Sequence, residues 1–311
     1  MAAPTVLVIG SSNTDLIVKA PRIPRPGETI LAGEFATAAG GKGANQAVAA
    51  ARAGGAVTFI ARVGRDSNGD QAIAGFTAAG IDVTHVTRDP SRPSGVALII
   101  VGRDGQNSIA VAPGANDRLS AADVRKGAST FRRARVLLLQ LEIPLKTIEA
   151  AVERASAAGV RVVLNPAPAR ALSSRLLAKI DLLTPNEIEA ERLTGVRVAS
   201  ESSAARAANA LLRRGVKHVV VTMGARGALV VDNGVRQLVP GFKVKAVDAT
   251  GAGDVFTGAV GVALAEGRSL LEAARFGCAA AAISVTRLGA QPSAPTRREI
   301  DALLATGKGR P

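Results

Sequence analysis

Short apolar runs with little polar alternation recur along this chain, each set off from the next by a stretch whose apolar residues repeat at helical spacing. Residues 5–9, 57–61, 136–139, 160–164, 182–183 and 218–222 are β-branched or Leu-rich runs of this kind. They suit strands buried on both faces, as in a parallel sheet, because a strand with one wet face would alternate. Residues 43–53, 67–79, 145–158, 187–193 and 202–213 carry the intervening helical patterns. Pro144 stands where it can open its helix, a position that needs no N–H. Repeated strand and helix predicts an α/β fold class: a doubly wound, mostly parallel sheet flanked by helices.

Two stretches break the alternation. Residues 15–37 hold Pro21, Pro24, Pro26 and Gly27 between strand-like pieces, and residues 94–112 read as two strands around Arg103-Asp104-Gly105-Gln106. Both fit a small β-layer outside the main sheet, either an ordinary edge extension or a lid over a ligand. The 311 residues correspond to about two units of roughly 150 residues, or to one large α/β unit with an appendage. No repeat, low-complexity tract or clear linker divides them. The expectation is therefore a single domain, 1–311, with a lid at about 15–37 and 94–112 and a frayed tail at 306–311.

Composition narrows the chemistry. One cysteine, Cys278, excludes an intrachain disulfide, and His85 and His218 add too few soft ligands for structural zinc, so any metal must be held by oxygen. The net charge of +14 raises nucleic-acid binding as a possibility. Against it stand the spread of basic residues along the chain and an aromatic content of 2% with no Trp or Tyr, which leaves little to stack on bases. No specific nucleic-acid partner is expected. No apolar run reaches the roughly 18 residues of a membrane span, and no signal-like start is visible, so a cytoplasmic location is expected and a membrane association is not.

Three motifs can carry chemistry. In Asp248-Ala249-Thr250-Gly251-Ala252-Gly253-Asp254 a small-residue loop feeds a helix, an arrangement that converges backbone N–H groups and the positive end of a helix dipole on an anion. Asp254 is poorly suited to bind phosphate but well suited to take a proton from a hydroxyl attacking it; it reads equally as a first-turn capping residue. Gly40-Gly41-Lys42-Gly43-Ala44-Asn45-Gln46 offers close backbone approach and donors for a polyol, or simply a flexible helix start. Gly10-Ser11-Ser12-Asn13-Thr14-Asp15 follows the first strand, where α/β proteins collect binding residues; its Asn and Asp could bind hydroxyls or form an Asx turn. A P-loop fails because Lys42 lacks the following hydroxyl residue and the correctly placed upstream glycine, and Gly251-Ala252-Gly253 is not completed as a dinucleotide fingerprint.

Together these motifs, with Leu164-Asn165-Pro166-Ala167-Pro168-Ala169, Thr184-Pro185-Asn186-Glu187 and Gly289-Ala290-Gln291-Pro292-Ser293, resemble the ribokinase (PfkB-like) family of ATP-dependent carbohydrate kinases over nearly the whole chain. Asn13 with Asp15, the Gly-Gly-Lys-Gly-Ala-Asn-Gln run and Gln140-Leu141-Glu142 favour its ribose-phosphorylating branch over the fructose and adenosine branches. The resemblance implies a ribokinase-like fold, D-ribose and ATP as substrates, and transfer of the γ-phosphoryl group to the 5-hydroxyl. It implies Asp254 as base, the N–H groups of Gly251, Ala252 and Gly253 as an anion hole, and Asn13, Asp15, Gly41, Lys42, Asn45 and Glu142 around the sugar. Asn186, Thr222, Gly224, Arg226, Gly227 and Gly253 fall on the nucleotide side, with Glu189 associated with Mg2+. Cys278 stands where the family often has His or Asn near adenine; buried packing is the other reading. A K+ site is implied at Asp248, Thr250, Ser284, Arg287, Gly289 and Ser293, and a homodimer through the lid. A kinase for another sugar or a nucleoside, or a silent sugar-binding regulator, are the competing readings.

Overall fold

The structure, a computed structural model, describes residues 3–31, 33–104, 106–232 and 234–307; Gly105 of the expected turn and residues 308–311 of the expected tail lie outside them. The strands in chain order are β1 (Thr5–Ile9), β2 (Asn13–Lys19), β3 (Glu34–Gly40), β4 (Ala56–Gly64), β5 (Val86–Asp89), β6 (Gly95–Val101), β7 (Asn107–Ala112), β8 (Val136–Leu139), β9 (Arg161–Leu164), β10 (Leu182–Leu183), β11 (His218–Thr222), β12 (Gly227–Asp232) and β13 (Val235–Pro240). Nine of them form one sheet in the order β13-β12-β11-β10-β9-β8-β1-β4-β5. It is parallel from β5 to β11, with β12 and β13 added antiparallel at one edge.

The missing alternation has a direct cause in β1. Val6 and Val8 enter one core cluster with the helices Lys42–Arg52, Ala252–Ala265 and Leu270–Ser284, while Leu7 and Ile9 enter another with Leu145–Ala157 and Glu201–Arg213. Both faces of the strand are dry, so Val6 to Ile9 are all apolar. The expected strands coincide with β1, β8, β10 and β11; β4 runs longer than 57–61 and β9 begins one residue later than 160. Pro144 stands just ahead of the helix Leu145–Ala157 as its N-cap, its carbonyl accepting from the N–H groups of Thr147 and Ile148.

The other four strands form a small sheet in the order β3-β2-β6-β7. Here β6 and β7 realise the expected pair in 94–112, antiparallel to one another. The first stretch differs from expectation at both ends: its strands reach out to Asn13 and Gly40, and the proline-bearing segment between them has no strand structure, since proline supplies no N–H to a ladder.

This topology brings the motifs together. Three residues after β1 the chain enters the small sheet as β2, and β3 leads directly into the helix Lys42–Arg52. The pairing Asn13↔Gly40 sets the first two motifs side by side. The third arrives through helix packing, because Gly258 lets the helix Ala252–Ala265 lie against Lys42–Arg52. A Cβ at 258 would stand 2.7 Å from the Gln46 carbonyl oxygen and 2.8 Å from the Ala49 Cβ. Asp254, one turn earlier, therefore faces Asn45 and Gln46.

Candidate active site

Asp254 lies in the first turn of its helix, after Gly251 in the left-handed conformation (φ 73°), and is 5% exposed. Its two oxygens accept from side-chain amides: Oδ2 from Asn45 Nδ2 at 3.0 Å and Oδ1 from Gln46 Nε2 at 3.0 Å. Both carboxylate oxygens are thus held in place by amide donors. The space beside it is open, since a Cβ on Gly253 would meet nothing within 4 Å. Of the three N–H groups expected to form an anion hole, that of Ala252 donates to the Ala249 carbonyl at 3.2 Å in this state. Asn45 directs its amide nitrogen at Asp254 and leaves its buried Oδ1 without a partner among the described residues, so that oxygen is available to a hydroxyl.

The polyol side is crowded with charge. Glu142 Oε2 accepts from Ser11 Oγ at 2.6 Å and from the Lys42 N–H at 2.9 Å. This ties the end of the first strand's loop to the start of the helix Lys42–Arg52. Gly41 (φ 88°) makes the connection, and a Cβ there would come within 2.7 Å of the Asn13 nitrogen. Burial, then the like charge of Glu142, push the Asp15 carboxyl up to about 6, against the pull of Lys42. The Lys42 ammonium is held above its ordinary value, chiefly by Asp254, which with Glu142, Glu189 and Asp15 outweighs burial. Asp15, Lys42, Glu142 and Asp254 thus act as one electrostatic cluster. The oxygen of Asn13 is taken by Asn116 Nδ2 at 2.7 Å, and Asn116 also accepts from the Ser12 N–H at 2.9 Å.

On the other side of Asp254, Asn186 and Glu189 form a capping box at the start of the helix Glu187–Thr194. Asn186 Oδ1 accepts from the Glu189 N–H at 2.8 Å, and Glu189 accepts from the Asn186 N–H at 2.9 Å. Burial raises the Glu189 carboxyl above its ordinary value despite that hydrogen bond and the nearby Lys42. Asn186 and Thr222 form an isolated parallel bridge, and Arg226 pairs with Glu187. Gly224 (φ 56°) and Gly227 (φ 102°) shape the loop between β11 and β12. Cys278 is 6% exposed in the core, and burial pushes its thiol up to about 12. Packing, one of its two sequence readings, describes its surroundings here.

Asp248 gathers its neighbours around its carboxylate: Oδ1 accepts from the Thr250 N–H at 2.9 Å and Thr250 Oγ1 at 2.6 Å, and Oδ2 from the Gly289 N–H at 2.8 Å. Burial acts to raise its pKa, but these bonds override it and hold the group below its ordinary value. Ser284 and Ser293 are buried, with hydroxyls donating at 2.8 Å to the carbonyls of Ala281 and Ala290, and Arg287 pairs with Glu299. Among the described residues, no group of three or more His, Cys, Asp or Glu side chains could hold a metal ion.

Sequence reasoning missed Asn116, Ser11, Gln46, Gln140 and Asn165 as site-building residues. The other four stand in quoted motifs, but Asn116 has no local signal and is identified only by its contacts. A cavity of about 460 Å3 lined by Arg170, Arg192 and Arg214 contains none of the candidate residues. One of about 210 Å3 touches Asn13 and Gln291. Among the described residues, no helix is long and apolar enough to cross a membrane.

Comparison with known proteins gives consistent matches. A family model described as pfkB family carbohydrate kinase covers residues 3–297. The ribokinase of Haemophilus influenzae is 48% identical over 295 residues, 95% of this chain and 96% of that protein. A deoxyribokinase of Salmonella typhi is 38% identical over 301 residues, 96% of this chain and 98% of that one. The ribokinase of Arabidopsis thaliana, solved in complex with ribose and ATP, superposes with a TM-score of 0.88 at 36% identity, covering 97% of this chain and 99% of that one.

Proposed function

Since the chain belongs to the pfkB family of carbohydrate kinases, we propose that it transfers the γ-phosphoryl group of ATP to the 5-hydroxyl of D-ribose, giving ribose 5-phosphate and ADP. The observation that carries the mechanism is the Asp254 carboxylate, buried and ringed by amide donors beside an open glycine turn. Asp254 takes the hydroxyl proton as the oxygen attacks phosphorus, and the bond to the ADP oxygen breaks with its electron pair leaving on ADP. Positioning and electrostatics dominate such a transfer. The N–H groups of Gly251, Ala252 and Gly253 face the charge on the moving group, that of Ala252 turning from the Ala249 carbonyl as the nucleotide binds.

Asp15, the Lys42 ammonium and the free Asn45 oxygen meet sugar hydroxyls, with Asn13, Gly41 and Glu142 shaping that side. Asn186, Thr222, Gly224, Arg226 and Gly227 approach the nucleotide, and Cys278 packs behind it. Magnesium would be held mainly by ATP oxygens and water, with Glu189 the protein carboxylate nearest to it, and would supply charge neutralisation on the transferred phosphate. The oxygen donors around Asp248, with Thr250, Ser284, Arg287, Gly289 and Ser293, fit a hard monovalent ion such as K+, which would stiffen the segment leading into the Gly251 turn. The small sheet serves as a lid and, through its exposed apolar residues, as the contact of a homodimer. A cytoplasmic location agrees with this chemistry.

The acceptor is the point at which a second reading enters, because a deoxyribokinase matches with equal coverage. An assay with ATP and a panel of ribose, deoxyribose, fructose and adenosine decides between them, with the phosphorylated position determined by NMR. Turnover fastest on ribose at position 5 is expected; a faster reaction with another acceptor moves the assignment, and no turnover with any leaves a silent binder.

A further inference from the structure

We infer that Gln140 and Gln46 form a directed chain of side-chain amides that aims the Asp254 carboxylate, which makes Gln46 a positioning residue for the transfer. This rests on the reading of Asp254 as the base. Gln46 is 0% and Gln140 1% exposed. A primary amide has two N–H donors on one side and an acceptor on the other, and here each side of Gln46 meets a matching neighbour. Its Nε2 donates to Asp254 Oδ1 at 3.0 Å and to Asn165 Oδ1 at 3.2 Å, while its Oε1 accepts from Gln140 Nε2 at 2.6 Å. Asn165 is held in turn, its Nδ2 donating to the Thr184 carbonyl at 3.1 Å.

The order of these bonds sets their direction. Turning the Gln46 amide over would press its oxygen against the Asp254 carboxylate and the Asn165 oxygen, and its nitrogen against the Gln140 nitrogen. The Asp254 carboxylate can only accept, so Gln46 must donate to it and accept from Gln140, whose own Oε1 has no partner among the described residues. A hydrogen bond to the charged form of an acid favours that form. The chain crosses the carboxyl edge of the sheet, from the end of β8 through the helix Lys42–Arg52 to the helix Ala252–Ala265, with Asn165 just beyond β9. It therefore couples the aim of Asp254 to the main sheet rather than to the small one. Lys42, Asp15 and Glu189 are electrostatically coupled to Asp254, with Glu142 in the same cluster, and all remain in the variants below.

The test is the pH profile of kcat with saturating ribose and MgATP for Gln46→Met and Gln140→Met, each checked for folding by calorimetry. Gln46→Met keeps the volume and removes the donor. Its acidic limb is expected to move up by about one pH unit, roughly tenfold in the ionisation equilibrium, with plateau kcat lowered several-fold and ribose KM little changed. Gln140→Met removes the donor to Gln46 Oε1 while leaving the bonds to Asp254 and Asn165, and is expected to shift the limb the same way by less. A purely structural role would lower thermal stability and leave the limb in place. If both folded variants keep the wild-type limb and kcat, the inference is overturned; should Gln46→Met not fold, an unshifted limb in Gln140→Met overturns it alone. Asp254→Asn, run alongside, separates this from the underlying reading: retained turnover in that variant removes Asp254 as the base, whereas its loss together with silent glutamine variants removes only the amide chain.

Discussion

The two sheets meet water on different terms. In the nine-stranded sheet the central strands are dry on both faces, and the carboxylate at its carboxyl edge is held by two amides. In the four-stranded sheet β7 is exposed along its whole length, and Val18, Phe35, Leu98, Ile109 and Val111 show between 37% and 67% of their surface. On the proposed reading, the residues that hold the reacting group stand at the edge of the buried sheet, and Asp15 stands on the exposed one, where a lid would reach a ligand. The difference would separate chemistry, built into the main core, from recognition, shared with the small sheet.

Asp254→Asn gives the largest expected break in that division. Turnover should fall by roughly 10² to 10⁴, the scale for losing a general base, with folding and ribose affinity retained. The fold is expected to tolerate the new amide because Asn45 can turn over, accepting from it through Oδ1 and offering its nitrogen to the sugar hydroxyl in place of that oxygen. Single-turnover kinetics and calorimetric ribose titration check both halves.

Asp15→Ala probes the other side. It is expected to cut kcat/KM for ribose by about 100-fold through lost hydrogen bonds to a charged group, while nucleotide affinity stays near wild type. Comparable loss of both would place the defect in folding. The pH dependence sharpens this. The Asp15 carboxyl is raised from 3.8 to about 6, so the folded, ligand-free protein holds the extra proton between those values, and this group's contribution makes stability fall as pH rises from about 4 to 6. Asp15→Asn should therefore melt higher than wild type at pH 8, with the gap closing toward pH 4. Ribose hydroxyls donate to the ionised form, so wild-type ribose KM should rise as pH falls below about 6.

A smaller effect is expected at Asp248. Activity in potassium should exceed that in an equal concentration of tetramethylammonium several-fold, and Asp248→Ala should abolish most of the difference. Indifference of the wild type to the cation would remove the proposed ion site.

The mildest expected effect on catalysis concerns assembly. Pairing of the exposed strands would protect their edges. Lysines at Ile109 and Val111, on the face that also carries Asp15, or at Phe35 and Leu98 on the opposite face, test the two surfaces separately by sedimentation. A wild-type dimer in both variants, or a fully active monomer, breaks the lid-pairing proposal.

Much of the architecture was legible because burial on both faces leaves a local mark. β1, β8, β10 and β11 can be read from their runs of consecutive apolar residues. The β12–β13 hairpin was overlooked although its signal is present: Leu229, Val230 and Val231 precede Asn233-Gly234, a favoured two-residue turn sequence. The small sheet was recognised as a pair of excursions, but its strand ends were misplaced because Asn13 and Gly40 lie in motifs that also read as loops.

What the sequence determined by itself was therefore the alternation of buried strands and helices, and the residue types at the ends of those strands. Both are written in contiguous segments, where period and composition act locally. Only the tertiary structure decided which of those ends meet. Asn116 reaches Asn13 across 103 positions, Gln46 reaches Asp254 across 208, and Gly258 decides by the absence of a side chain how closely two helices approach. A hydrogen bond between distant residues leaves no period in the chain. Its partners are chosen by strand order and helix packing, which exist only once the whole core has formed.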